Sequence, residues 1–209
     1  MNKSKTEITP PPAVAIFASG TGSNAKKIHQ YGVESGAYRT GLVVTNRRKA
    51  GVLSYCKENK IPAFILTRES FYERQDVLDV LKRHEITLIA LAGFLWLIPP
   101  YLIDAYPGRI INIHPALLPR YGGKGMYGPH VHQAVFDNKE EKSGITIHFV
   151  NEEYDKGNLL LQASQSIKDC MSPVEIGRRI LRMEHTFYPL VVAGLSSHLN
   201  SSGTGTAAR

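Results

Sequence analysis

Apolar residues along this chain fall in short unbroken runs separated by longer amphipathic stretches. The runs are Ala13-Val-Ala-Ile-Phe-Ala18, Gly41-Leu-Val-Val-Thr-Asn46, Pro62-Ala-Phe-Ile-Leu66, Thr87 to Ala92 and Arg109 to Ile113. Continuous rather than alternating runs suit strands covered on both faces, as in a parallel sheet. Helical patterns lie between them over 24–35, near 50–59, over 70–84 and over 99–106. This βαβα order predicts an α/β protein with a doubly wound, mostly parallel sheet. After residue 140 the pattern changes. Gly144 to Val150 and Asn158 to Gln162 flank Asp155-Lys-Gly157, which predicts an antiparallel C-terminal strand pair. A helix from Ser172 to Ala193 follows, with Ser172 as N-cap and Pro173 as its first residue. Residues 1–12, ending in three prolines, read as a flexible N-terminal extension. Residues 13–195 read as a single domain, and the Ser-, Gly- and Thr-rich 196–209 as a flexible tail.

Composition narrows the class. A hydrophobic content of 43% and a charged content of 21% over 209 residues fit a globular domain with a real core. Leu88 to Ile98 is the most apolar stretch, but it is too short to span a bilayer and is broken by Gly93 and Pro99. The N-terminus lacks the apolar core of a signal peptide. Cys56 and Cys170 lie far apart without metal-type spacing, as reduced thiols would. A soluble cytoplasmic protein is expected, with no membrane partner. The net charge of +7 allows nucleic-acid binding or attraction of small anionic substrates. Basic residues are scattered, clustering only at Arg47-Arg48-Lys49 and Arg178-Arg179, which favours anionic metabolites over nucleic acid.

The chemistry concentrates where Arg109-Ile-Ile-Asn-Ile runs into His114 and a loop braced by Pro115 and Pro119. Strand alternation puts Asn112 and His114 on one face, and Pro115 ends the strand beside them. In an open α/β sheet that C-terminal edge is where ligands bind. An imidazole titrating near neutrality next to a neutral amide donor suits proton transfer beside a developing oxyanion. The plainer alternative is that the two satisfy each other or the loop backbone.

Ser19-Gly-Thr-Gly-Ser-Asn24 follows the first strand and opens the first helix, as in a Rossmann-like phosphate loop. Gly20-x-Gly22-x-x-Ala25 also fits a dinucleotide fingerprint, and Arg47 and Arg48 could then meet a 2′-phosphate. A NADP-dependent oxidoreductase is therefore a rival. Against it, Ser23-Asn24 form a polar hook where an apolar helix start would be expected, and Asn112 and His114 would be left without a task. A glycine turn made only for strand–helix packing is the third reading.

Taken together, Ser19 to Asn24, Leu91-Ala-Gly-Phe94, Asn112 to Pro119, His148 to Gly157 and Glu184-His185 with Tyr188-Pro189 resemble the phosphoribosylglycinamide formyltransferases. This is a folate-dependent family of purine biosynthesis, and the likeness covers about residues 13 to 195. It implies the formyltransferase fold and formyl transfer from 10-formyltetrahydrofolate to the glycinamide amine of a phosphoribosyl acceptor, without a metal. It implies that Asn112 holds the formyl oxygen, that His114 is the general acid/base, and that Asp155 bonds the imidazole or an ordered water and raises its pKa. Gly20, Thr21, Gly22, Ser23 and Asn24 would receive the ribosyl phosphate, and Glu184 the ribose or the glycinamide end. Leu95, Trp96, Leu97, Ile98, Asn112, Glu153, Tyr154 and Asp155 would line the folate site. Without the resemblance, Asp155 reads as a turn former and Glu184 as an exposed helix carboxylate.

Departures from the family pattern are specific. A cationic position of some relatives is Ser70 here, leaving Arg68 as the available cation. The glycine-rich Tyr121 to Gly128 is long and reads as a lid. His130-x-His132 offers two metal-type ligands but no third at sensible spacing. The family's Asp-Gly-Gly turn is Asp155-Lys-Gly157. Methionyl-tRNA formyltransferase would need a further C-terminal domain and formyltetrahydrofolate hydrolase an N-terminal one, so both rank below the glycinamide enzyme. Its substrates are small molecules, and either a monomer or a homodimer is compatible.

Overall fold

A computed structural model describes residues 10–203. Seven strands form one sheet in the order β3-β2-β1-β4-β5-β6-β7. They are β1 (Ala13–Phe17), β2 (Arg39–Thr45), β3 (Ala63–Ile65), β4 (Ile86–Leu91), β5 (Ile110–His114), β6 (Lys142–Phe149) and β7 (Leu159–Ser166). The first five are parallel, and β6 and β7 add on antiparallel. This is the doubly wound α/β sheet with an antiparallel end that the hydrophobic pattern predicts.

Every residue of β1 is buried, and its side chains divide by alternation. Val14 and Ile16 join a core under α1 (Ser23–Ser35), α2 (Val52–Glu58) and α7 (Pro173–Gly203). Ala13, Ala15 and Phe17 join a second core on the opposite face, under α3 (Arg68–Tyr72), α4 (Asp76–Arg83) and α5 (Pro100–Ala105). Two-sided coverage explains the unbroken apolar runs. Cys56 and Cys170 are both buried and unpaired. No helix among the described residues is long and apolar enough to cross a membrane.

Four elements differ from the sequence reading. The helical stretch expected over 70–84 is split. Thr67 caps α3 in a capping box with Ser70, and Gln75 takes a left-handed φ of 58° before α4. Ser70 is thus spent on helix capping. No element was expected over 129–137, yet α6 (Pro129–Asp137) forms there, with Pro129 in its first turn and Val131 and Val135 buried one turn apart. The last helix does not stop near Ala193 but runs to Gly203, so the tail expected from 196 begins as helix, with Ser196 fully buried. Residues 1–9 and 204–209 of the expected flexible ends lie outside the described residues.

Helix α7 is tied to the sheet by Tyr188. Its hydroxyl, completely buried, shares its proton between the carbonyls of Leu91 (2.9 Å), the last residue of β4, and Ile111 (3.1 Å), next to Asn112 in β5. Tyr188→Phe keeps the ring but leaves both carbonyls without this donor. The expected cost is about 1–3 kcal/mol of unfolding free energy, read as a lower denaturant midpoint at unchanged slope. An unchanged midpoint would show that the hydroxyl anchors nothing.

Candidate active site

The strand order reverses between β1 and β4, and the loops leaving the C-terminal ends of β1, β4 and β5 open a crevice there. Two bonds close its floor: Ser19 N–H donates to the Gly93 carbonyl (3.1 Å), and Leu95 N–H donates to Ser19 Oγ (3.1 Å). A cavity of about 590 Å³ occupies the crevice, lined by Asn24, Leu95, Asn112, His114, Asp155, Glu184 and the Gly123–Gly128 loop among others. A smaller one of about 50 Å³ lies between Trp96, Leu97, Ile98, Glu153 and Tyr154. Asn112, Phe94, Tyr154 and Asp155 line both, so the two meet at the end of β5.

β5 presents Asn112 and His114 to the same cavity, as alternation requires. Antiparallel pairing then sets His148 of β6 directly opposite Asn112. Asn112 Nδ2 lies 3.2 Å from His148 Nε2 and donates at 3.4 Å to Asp155 Oδ1. His148 Nδ1 lies 2.7 Å from the Phe149 carbonyl, which can only accept. That nitrogen therefore carries hydrogen, and in the neutral ring Nε2 is left to accept from Asn112.

Asp155 arrives from the β6–β7 loop with a left-handed φ of 57°. Its Oδ2 accepts from Gly123 N–H at 2.9 Å and faces His114 Nδ1 at 3.4 Å, while Oδ1 faces His148 Nε2 at 3.6 Å. The turn is held by Gly157, where a β-carbon would overlap the Phe149 carbonyl oxygen. So Asp155 is both a turn residue and the carboxylate at the histidine. Only the first of these is readable from Asp-Lys-Gly spacing.

The His114 ring is 3% exposed. Its Nε2 lies 2.8 Å from the Tyr121 carbonyl. Burial pushes its pKa down; the Asp155 charge and the Tyr121 carbonyl push it up, the His148 charge pushes it down, and it ends below its ordinary 6.5. This corrects the expectation that Asp155 raises it overall. The carboxylate acts in that direction, but desolvation of an enclosed ring outweighs a contact at 3.4 Å. Burial also pushes Asp155 up, but the His148 hydrogen bond, the His114 charge and the Gly123 N–H overcome it, and the carboxyl lies below its ordinary value. Near neutral pH the free protein thus holds a neutral imidazole beside a carboxylate.

At the other side of the larger cavity, Asn24 Nδ2 donates to Glu184 Oε2 at 2.5 Å. Glu184 is buried, not the exposed helix carboxylate of the plainer reading, and burial raises its pKa against the lowering effect of that bond. Asn24 Oδ1 is buried without a partner. Of the glycine loop, only Asn24 reaches the cavity lining; Gly20, Thr21, Gly22 and Ser23 stand outside it. Gly22 serves packing, since a β-carbon there would come within 2.5 Å of Val52 Cγ2. Still, the N-terminal N–H groups of α1 have no side-chain cap, and its first turn holds no acidic residue.

Trp96, Leu97 and Ile98 gather beside Phe71, Tyr72 and Phe94, with Trp96 5.8 Å from Phe71 between ring centroids, while Leu95 lines the larger cavity. Arg68 stands 5.3 Å over the Trp96 ring. His130 and His132 serve different neighbours. His130 meets Tyr127 edge-on at 5.2 Å, and His132 packs over Gly177 of α7. Sequence reasoning missed His148, the Gly123 N–H and the Tyr121 carbonyl as members of the cluster. His148 alone had a signal, its position across the antiparallel pair, and using it required knowing the register.

The model of the formyl transferase family matches residues 13–192. The chain is 41% identical to the chloroplastic phosphoribosylglycinamide formyltransferase of Arabidopsis thaliana over 87% of its own length and 64% of that protein's. It is 35% identical to the phosphoribosylglycinamide formyltransferase of Bacillus subtilis, over 90% of this chain and 96% of the relative. The crystal structure of phosphoribosylglycinamide formyltransferase from Bacillus halodurans superposes with a TM-score of 0.79 at 33% identity, covering 88% of this chain and 95% of that one. The chain spans under two thirds of the two chloroplastic relatives it matches, 64% of the Arabidopsis protein and 60% of that from Vigna unguiculata.

Proposed function

The chain belongs to the formyl transferase family, and on that premise we propose that it carries the formyl group of 10-formyltetrahydrofolate to the glycinamide amine of phosphoribosylglycinamide, in purine biosynthesis. The observation that carries the reading is the meeting of two cavities at Asn112, with His114 and Asp155 beside it. The names of the relatives support the same activity, and the family match does not support a NADP-dependent oxidoreductase.

In this reading the folate inserts its pteridine end at the smaller cavity, against Trp96 to Ile98, Glu153, Tyr154 and Asp155, with Leu95 on the side of the larger one. The acceptor occupies the larger one. Its phosphate takes the N–H groups of the Gly20–Asn24 loop at the uncapped start of α1, where the helix dipole favours an anion. Its ribose or glycinamide end lies at Glu184 and the unpartnered Asn24 Oδ1.

Amine attack on the formyl carbon moves the carbonyl electron pair onto oxygen. Asn112 donates Nδ2–H to that oxyanion, handing over the longer of its two contacts, the 3.4 Å bond to Asp155. His114 has Nε2–H committed to the Tyr121 carbonyl, so Nδ1 takes the proton from the attacking nitrogen and returns it to folate nitrogen as the carbon–nitrogen bond breaks. The imidazolium formed between is flanked by the oxyanion and the Asp155 carboxylate, which favour it at the moment it is needed. No step requires a metal. The substrates are small molecules, a monomer or homodimer serves equally, and an aqueous, cytoplasmic setting goes with this reading.

The test mixes purified protein with 10-formyltetrahydrofolate, with and without phosphoribosylglycinamide, and follows the deformylated folate. Product only with the acceptor is expected. Product regardless of acceptor would replace the transferase by a hydrolase, and no product would overturn formyl chemistry here. An acceptor lacking its 5′-phosphate is expected to raise KM at least about tenfold, since charge-assisted hydrogen bonds are lost. An unchanged KM would move the phosphate away from the start of α1.

A further inference from the structure

The family resemblance gives the Tyr121 side chain no task, and in the proposed reaction only its carbonyl takes part. The Tyr121 backbone lies in the left-handed region at φ 58°, which a bulky side chain rarely adopts and which something must hold. What holds it is its own side chain. The hydroxyl donates to Glu140 Oε1 at 2.7 Å and accepts from Arg120 Nη2 at 3.2 Å, and Arg120 and Glu140 pair with each other. The ring packs against the core beneath α6 and α7, and Arg120 stacks over its outer face at 5.2 Å. Held in this way, the Tyr121 carbonyl points at His114 Nε2 from 2.8 Å. Tyr121 and Asp155 are thus two non-glycine residues with positive φ that grip the same imidazole, one at each nitrogen.

We infer that Tyr121 is a positioning residue: latched by Glu140 at the outer face of the fold, its carbonyl fixes hydrogen on His114 Nε2 and makes Nδ1, the nitrogen facing Asp155, the one that gains and loses the proton. A carbonyl oxygen only accepts, so the bond selects the tautomer as well as the ring orientation. Without the latch, the turn is free to leave its strained conformation and withdraw the carbonyl. The buried ring then has no partner to prefer Nε2–H, and the opposite tautomer, donating from Nδ1 to Asp155, becomes the better one. That tautomer cannot receive a proton at Nδ1. The charged groups whose fields reach the ring are Asp155 from the β6–β7 loop, His148 from β6 and His132 from α6. None of them touches Nε2; Asp155, 3.4 Å from Nδ1, pulls toward the other tautomer, and the closer carbonyl at 2.8 Å outweighs it. The inference rests on His114 being the proton carrier of the proposed reaction, but the tautomer itself is a property of the free protein.

The experiment is ¹⁵N NMR of histidine-labelled protein without substrate, above the His114 pKa, in the unaltered chain and in Tyr121→Phe, Glu140→Ala and Glu140→Gln. His114 is assigned by the signal missing from His114→Gln. The unaltered chain should show hydrogen on Nε2. Tyr121→Phe and Glu140→Ala should each move at least about a third of the signal to the Nδ1–H form and lower kcat more than they alter KM. Glu140→Gln, whose amide oxygen still accepts from the phenol, should keep the original tautomer. Hydrogen on Nδ1 in the unaltered chain, or a tautomer untouched in both Tyr121→Phe and Glu140→Ala, would overturn the latch. Because this signal needs no turnover, a latch that is present in a protein failing to transfer formyl counts against the proposed function, not against the latch.

Discussion

Replacing His114 by Ala is expected to lower kcat for formyl transfer at least about 100-fold, the lower end for loss of a general acid/base. The ring is buried, it touches both Asp155 and the Tyr121 carbonyl, and no other titrating side chain shares its position between them. His148 is the nearest substitute, yet its Nδ1 is committed to the Phe149 carbonyl and its Nε2 faces Asn112. The variant also leaves Asp155 with one partner fewer, so thermal stability must be measured alongside. A fall in kcat with KM and folding preserved would identify a group needed only in the transition state. Near-normal turnover would remove His114 from the mechanism and return the Asn112–His114 pair to the plainer reading of loop support.

Asp155→Asn is expected to cost nearly as much and to leave a signature in pH. The neutral His114 accepts the amine proton, so activity falls as pH drops through its pKa, which lies below 6.5. The Asp155 charge is what resists burial and holds that pKa up. Removing the charge leaves only the Tyr121 carbonyl to oppose desolvation, so the acid limb of the pH profile should move further down. At the same time the plateau should fall about 100-fold or more, because the imidazolium formed in the reaction loses its counter-charge. The two changes have opposite senses for activity at low pH, which separates them from simple unfolding. An acid limb that stays in place would show that Asp155 acts only through the turn, where its left-handed φ and the Gly123 N–H already give it a structural task.

The parts of the molecule legible in advance were those whose cause is local. Four largely buried strands, β1, β2, β4 and β5, appear as apolar runs because two-sided coverage leaves no polar face to break them, while β3 at the sheet edge is partly exposed. Asn112 and His114 come together because a strand repeats every two residues, and they sit at its end because Pro115 cannot continue it. Helix α6 was missed because nine residues with two buried valines barely exceed the background of a glycine-rich stretch. The far end of α7 was missed because Ser and Gly near its C-terminus read as loop, although packing against the sheet and α1 holds most of that helix.

Sequence alone thus determined the order and type of the strands, the face shared by Asn112 and His114, and the family, since each rests on neighbours in the chain or on motif order. Only the tertiary structure decided the electrostatics. How deeply His114 is buried, which of its nitrogens meets Asp155, that His148 faces Asn112, and that Glu184 is enclosed with Asn24 all depend on groups brought together from distant segments. Desolvation is a property of everything packed around a group, and no spacing along the chain encodes it. For that reason His114 could be singled out from its neighbours in the chain, while the direction of its pKa could not.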